Sequence, residues 1–177
     1  NILLQELCDL YNDNELSEKQ IDYTDFTLWE KEQFESDEFK NSKEYWINQF
    51  NDEIPLLNMP TTNPRPSTQS FEGSSYYADL SKDTFTKIEN ISKKLGITPY
   101  MFMISCFYIL LSKYTSQDDI VIGTPVVGRE SAGLSNILGM FVNTLAMRNK
   151  IDRNLSFNDF AKVVKTNCIE SFKNQGY

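Results

Sequence analysis

Leu138-Gly139-Met140-Phe141-Val142-Asn143-Thr144-Leu145-Ala146-Met147-Arg148 is an apolar run broken by one polar pair, Asn143 and Thr144. Its period of two predicts a strand: Val142, Thr144 and Ala146 face one way, and Phe141, Asn143, Leu145 and Met147 the other. Gly139 lets the backbone turn into it. An amide buried without a hydrogen bond costs about 1 to 3 kcal/mol, so Asn143 requires either a partner on a neighbouring loop or a cleft.

Immediately upstream, Asp119-Ile120-Val121-Ile122-Gly123 reads as a short β-branched strand that ends at Thr124-Pro125. The loop Val126-Val127-Gly128-Arg129-Glu130 follows it. Before that strand, Thr98-Pro99 joins an N-cap to a proline at the first helical position. The helix it opens is apolar nearly all round from 100 to 111, with only Ser105 clearly polar, and Lys113 closes it. It is shorter than the ~20 residues of a membrane span, so the pattern predicts a central buried helix. Further back, 71–80 alternates like a strand, and Ser81 caps a helix bearing Phe85, Ile88, Ile91 and Leu95. Lys93 and Lys94 suit the C-terminal end of that helix's dipole, and Gly96 its C-cap. Downstream, Ser156 and Asp159 form a capping-box-like start for a last helix with Phe157, Phe160, Val164, Cys168 and Phe172 on its buried side.

The first third is helical. Ile2, Leu3, Leu7, Leu10 and Tyr11 predict an amphipathic helix over 1–11. Asp22 or Thr24 caps a second helix with Tyr23, Phe26 and Trp29 on one face. In a third, Phe39, Lys43, Trp46 and Phe50 share a side, with Lys43 snorkelling over apolar surface. Pro55, Pro60, Pro64 and Pro66 then exclude regular helix over 54–70, which reads as an extended crossing linker between lobes.

Composition narrows the function classes. With 40% hydrophobic and 24% charged residues, the 177-residue chain has the make-up of an ordinary globular protein. A net charge of −8 with no basic stripe opposes nucleic acid, and no membrane anchor is indicated. Cys8, Cys106 and Cys168 lack metal or disulfide spacing, which points to a reducing cytoplasm and no metal site. The chain opens on Asn1-Ile2-Leu3-Leu4 with no signal-peptide pattern, as if cut from something longer. It has no histidine, which removes the commonest general base and metal ligand.

Four stretches together resemble the condensation domain of non-ribosomal peptide synthetases. Tyr23-Thr24-Asp25-Phe26-Thr27-Leu28-Trp29 resembles the family's YxDFxxW segment, and the stretch from Leu138 to Arg148 its GxFVNTxxxR segment. Gln117-Asp118-Asp119-Ile120-Val121-Ile122-Gly123-Thr124-Pro125 is similar to the run before its Gly-Arg loop, and Asn174-Gln175-Gly176-Tyr177 to the start of its HQDxPFE segment. Asn174 stands where His is usual and Gly176 where Asp is usual, and the HHxxxDG segment, whose second His is the presumed catalytic residue, is missing.

The resemblance implies an α/β fold: a chloramphenicol acetyltransferase-like αβα sandwich lobe preceded by a helical segment of the other lobe. It further implies a fragment, with 1–53 the helical tail of the N-terminal lobe, 54–70 the linker and 71–177 a truncated C-terminal lobe. The implied activity is peptide-bond formation between thioesters carried on phosphopantetheine arms by donor and acceptor carrier proteins, with no cofactor bound directly. The missing N-terminal lobe is a further implied partner, and no catalytic residue lies in this chain, so the fragment is expected to be inactive alone. Asn143, Thr144 and Arg129 are the candidate groove residues, Asn143 as an amide donor or acceptor near the pantetheine arm. Arg129 is a candidate for a carboxylate across the groove or an acidic carrier surface. Tyr23, Asp25, Phe26, Trp29, Gly139 and Phe141 are read as a structural motif. The alternatives are a catalytically inactive module that binds carrier or tailoring proteins, or a related epimerisation, cyclisation or acyltransferase domain.

Overall fold

The computed structural model describes residues 2–16, 21–64, 66–129 and 133–177. Asn1, Arg65 and Glu130, which belong to the expected first helix, linker and loop, lie outside the described residues. Six α-helices, one short 3-10 helix and two strands follow in the order α1 (Ile2–Tyr11), α2 (Tyr23–Gln33), α3 (Asp37–Gln49), α4 (Lys82–Leu95), α5 (Pro99–Thr115), β1 (Asp119–Val127), the 3-10 helix (Leu134–Asn136), β2 (Val142–Lys150) and α6 (Phe157–Lys173) among the described residues. They group into two compact units. One comprises Asn1–Glu53, Gly123–Ala146 and Ser171–Tyr177, the other Ile54–Ile122 and Met147–Glu170.

β1 and β2 pair in a two-stranded sheet. Beyond one end Gly128 N–H donates to Phe141 O, and beyond the other Ile151 N–H donates to Asp118 O. Numbers rise along one strand as they fall along the other, so the pair is antiparallel, and equal lengths of chain between the two bonds leave no net bulge. The register corrects the expected end of β1 at Thr124-Pro125, because the strand continues through Pro125 to Val127. Side chain and N–H directions alternate, so with Gly128 N–H facing β2, Pro125 faces away and its missing donor breaks no ladder bond. β2 begins at Val142, four residues after the start of the run that predicted it.

In the second unit, the helix signals act as expected. Ser81 Oγ accepts from Thr84 N–H, Thr98 Oγ1 accepts from Met101 N–H, and Gly96 takes φ 64° at the end of α4. Its core joins Met101, Ile104, Tyr108 and Leu111 of α5 with Phe160, Ala161, Val164 and Cys168 of α6, Ile120 and Met147. Tyr108 Oη donates to Met147 O at 2.7 Å, and its ring meets Phe160 edge-on. At the strand ends Arg148 forks onto Asp119 (2.9 and 2.6 Å), and Arg153 binds Asp118.

Two expectations fail here. α5 is not buried all round: Tyr100, Met103, Phe107, Leu110 and Tyr114 are exposed, because only the face carrying Met101, Ile104, Ser105, Tyr108, Leu111 and Ser112 packs. The stretch 71–80 forms no strand. Alternation alone does not make a strand without a neighbour for the ladder, and Phe71, Tyr76 and Tyr77 stand 95%, 94% and 87% exposed. In the linker before it, Gln117 ties residues 56–58, accepting from Asn58 N–H and donating to Leu56 O. Chymotrypsin should therefore cut first at Phe71, Tyr76 or Tyr77, seen as early fragments by mass spectrometry. First cleavage within α5 would contradict this packing.

Among the described residues no single helix is long and apolar enough to cross a membrane.

Candidate functional site

The site lies in the first unit and is built on α2. Asp22 starts the helix: its carboxylate accepts from Thr24 and Asp25 N–H, and Asp25 returns a bond to Asp22 N–H at 2.9 Å. These donors, Asp25 N–H foremost, hold the Asp22 carboxyl below its usual pKa. Asp25 is thus half of a capping box.

Tyr23 and Phe26, one turn apart, pack on the cluster of Leu134, Ile137 and Phe141. Ring centroids lie 5.3 Å apart for Tyr23 and Phe141, edge-on, and 4.7 Å for Phe26 and Phe141. Tyr23 Oη donates to Met140 O at 2.9 Å. Gly139 is required by space, since a Cβ there would come within 2.2 Å of the edge of the Tyr23 ring.

Arg129 sits on the same cluster. Its guanidinium donates to Leu134 O (2.5 Å), Ile137 O (2.8 Å) and Gly139 O (3.2 Å), and its Cζ lies 4.0 Å from the centre of the Phe141 ring. Three neutral carbonyls and an aromatic face thus surround the half-buried guanidinium. Arg129→Ala should cost about 2 kcal/mol, the worth of hydrogen bonds from a charged donor, and lower the melting temperature by ~4–8 °C. The loss should persist in 1 M salt because the partners are uncharged, and a melt in which salt removes it would contradict the bracing role.

A cavity of about 820 Å³ opens beside this cluster. Trp29, Phe34, Phe39 and Tyr177 supply aromatic wall, Glu30, Glu38 and Lys173 supply charge, and Asn143 and Gln175 supply amides. Asn143 is exposed to it rather than buried, so the cost of an unpaired amide does not arise. Its Oδ1 accepts from Thr144 N–H at 2.8 Å, and its Nδ2 donates to Gln175 O at 3.2 Å. With one lone pair of Oδ1 and one N–H of Nδ2 so used, the side chain keeps a second N–H for the cavity. Thr144 and Arg129 do not line this cavity.

The sequence reading missed one contributor. Trp46 is buried on α3 beside Ser42, with Phe39 and Phe50 half-buried and Lys43 exposed. Its Nε1 donates to Asn174 O at 2.8 Å. Tyr45 Oη and Ser171 Oγ share a hydrogen bond at 3.1 Å, and the Phe39 and Tyr177 rings lie 5.3 Å apart. The signal available was that a buried indole needs an acceptor.

Comparison with known proteins places the fold. The Condensation domain family model matches residues 1–177, so the chain belongs to the condensation domain family. Gramicidin S synthase 2 of Brevibacillus brevis is 45% identical over 177 residues, which is 100% of this chain and 4% of that protein. Tyrocidine synthase 3 of Brevibacillus parabrevis is 42% identical over 176 residues, 99% of this chain and 3% of that protein. A crystal structure of a four-domain nonribosomal peptide synthetase bound to AMP and glycine superposes with TM-score 0.85 at 28% identity, over 99% of this chain and 14% of that one. The cyclization-docking bidomain of EpoB from Sorangium cellulosum shares the fold, with TM-score 0.81 at 17% identity over 98% and 36% of the two chains. The fold is thus the chloramphenicol acetyltransferase-like α/β fold of condensation domains.

Proposed function

We propose that the chain is one wall of a condensation domain that forms peptide bonds between two thioesters held on the phosphopantetheine arms of donor and acceptor carrier proteins. The relatives that span the whole chain are peptide synthetases, which supports this reading. The observation that carries it is the Asn143 amide, oriented by Thr144 N–H so that it presents a donor at the cavity wall. In the reaction the acceptor amine attacks the donor carbonyl, a C–N bond forms, the C–S bond breaks, and the amine's proton ends on the departing thiolate. A fixed N–H donor suits a carbonyl oxygen, either at the tetrahedral centre or along the arm. The rest is positioning: two tethered reactants held together need no further cofactor for aminolysis. Work in a reducing cytoplasm is part of the proposal, and three free cysteines fit it.

The test supplies a family segment carrying HHxxxDG as a separate polypeptide. Co-expression should give a complex that survives a pull-down, with single-turnover condensation above that of either part. No complex, or a complex whose activity persists when the second His of that segment is replaced, would refute the split-groove reading.

A further inference from the structure

Two side chains far apart in sequence end on adjacent carbonyls of one short segment. Trp46 Nε1 donates to Asn174 O at 2.8 Å, and Asn143 Nδ2 donates to Gln175 O at 3.2 Å. The indole comes from α3 and the amide from β2, so the turn after α6 is held from two elements at once. Gln175, Gly176 and Tyr177 line the same cavity as Asn143, and Tyr177 is anchored further by its ring contact with Phe39.

We infer that Trp46 and Asn143 form a clamp that sets the position of residues 174–177 as a wall of the cavity, one N–H of Asn143 positioning Gln175 while the other stays at the cavity. The geometry explains why both donors are needed. A turn held by one carbonyl can swing about it, whereas bonds to two successive carbonyls from different elements fix its direction as well. It also explains the orientation of the Asn143 amide, since Thr144 N–H takes the oxygen and leaves nitrogen for Gln175. The cavity wall is then only as well placed as the clamp. This inference rests on the proposed condensation function for its kinetic readout alone.

The experiment uses the complete condensation domain with Trp46→Phe, which keeps a ring but removes the N–H, Asn143→Ala, and the double variant. Trp46→Phe should lower kcat about fivefold with both carriers saturating, the rate equivalent of one hydrogen bond, and Asn143→Ala, which also removes the N–H at the cavity, at least as much, with KM within about twofold in each. The double variant should lose little more than the larger single loss, because both act on one segment. Amide exchange of residues 175–177 should quicken in all three, with the melting temperature measured alongside to separate local release from global unfolding. Multiplying kinetic losses, or unchanged exchange in either single variant, would overturn the clamp. If the unaltered domain forms no peptide bond, the functional reading fails while the exchange data still decide the clamp.

Discussion

Incubated with loaded donor and acceptor carrier proteins, the 177-residue polypeptide by itself should yield peptide product no faster than uncatalysed aminolysis. The attacking amine must lose a proton, and the usual group for that task is absent because the chain contains no histidine. The buried candidates are tuned the wrong way. Burial pushes the Cys168 thiol up to about 11, raises the Cys106 thiol, and raises the Tyr108 hydroxyl further from neutrality. None of them is poised near pH 7 as a base. Product followed by mass spectrometry decides the matter, and turnover clearly above the background rate would require a base that this account does not provide.

The second large effect is on stability. Gly139→Val should cost about 3 kcal/mol, combining overpacking with loss of the hydrogen bond that Tyr23 makes if its ring is displaced. For a chain of this size that lowers the melting temperature by ~6–12 °C. The Cβ would clash with the Tyr23 ring at 2.2 Å, and that ring's hydroxyl reaches Met140 O and its plane stands edge-on to Phe141. In a Tyr23→Ala background the same substitution should cost less than half as much, since the clash is gone. An equal cost in both backgrounds would mean that Gly139 serves the backbone and not the ring.

What could be read from the chain follows the range of each interaction. Ser81, Thr98 and Gly96 were legible because a cap depends on residues three or four positions away. The Tyr23, Asp25 and Phe26 pattern announced a helix with an aromatic face, and its partner Phe141 lay in the other quotable motif. The clamp was not legible, since Trp46 and Asn174 are 128 residues apart and the acceptors are backbone carbonyls that carry no sequence signature. The local bonds of Arg129 were hidden for the same reason: carbonyls of Leu134, Ile137 and Gly139 accept from it, and nothing in those residue types foretells that. The alternation of 71–80 could not reveal that no strand would pair with it. Composition misled for α5, whose outward face is as apolar as the packed one.

Fold alone does not choose among condensation and its relatives, as the likeness to a cyclization domain shows. The chemistry does. The most direct measurement is therefore a single-turnover reaction of the complete condensation domain with saturating donor and acceptor carrier proteins, its products resolved by mass and stereochemistry. The account predicts a linear amide joining donor to acceptor, left on the acceptor arm with the donor arm released as free thiol. A heterocyclic product, an epimerised donor without transfer, or two unchanged thioesters would contradict it.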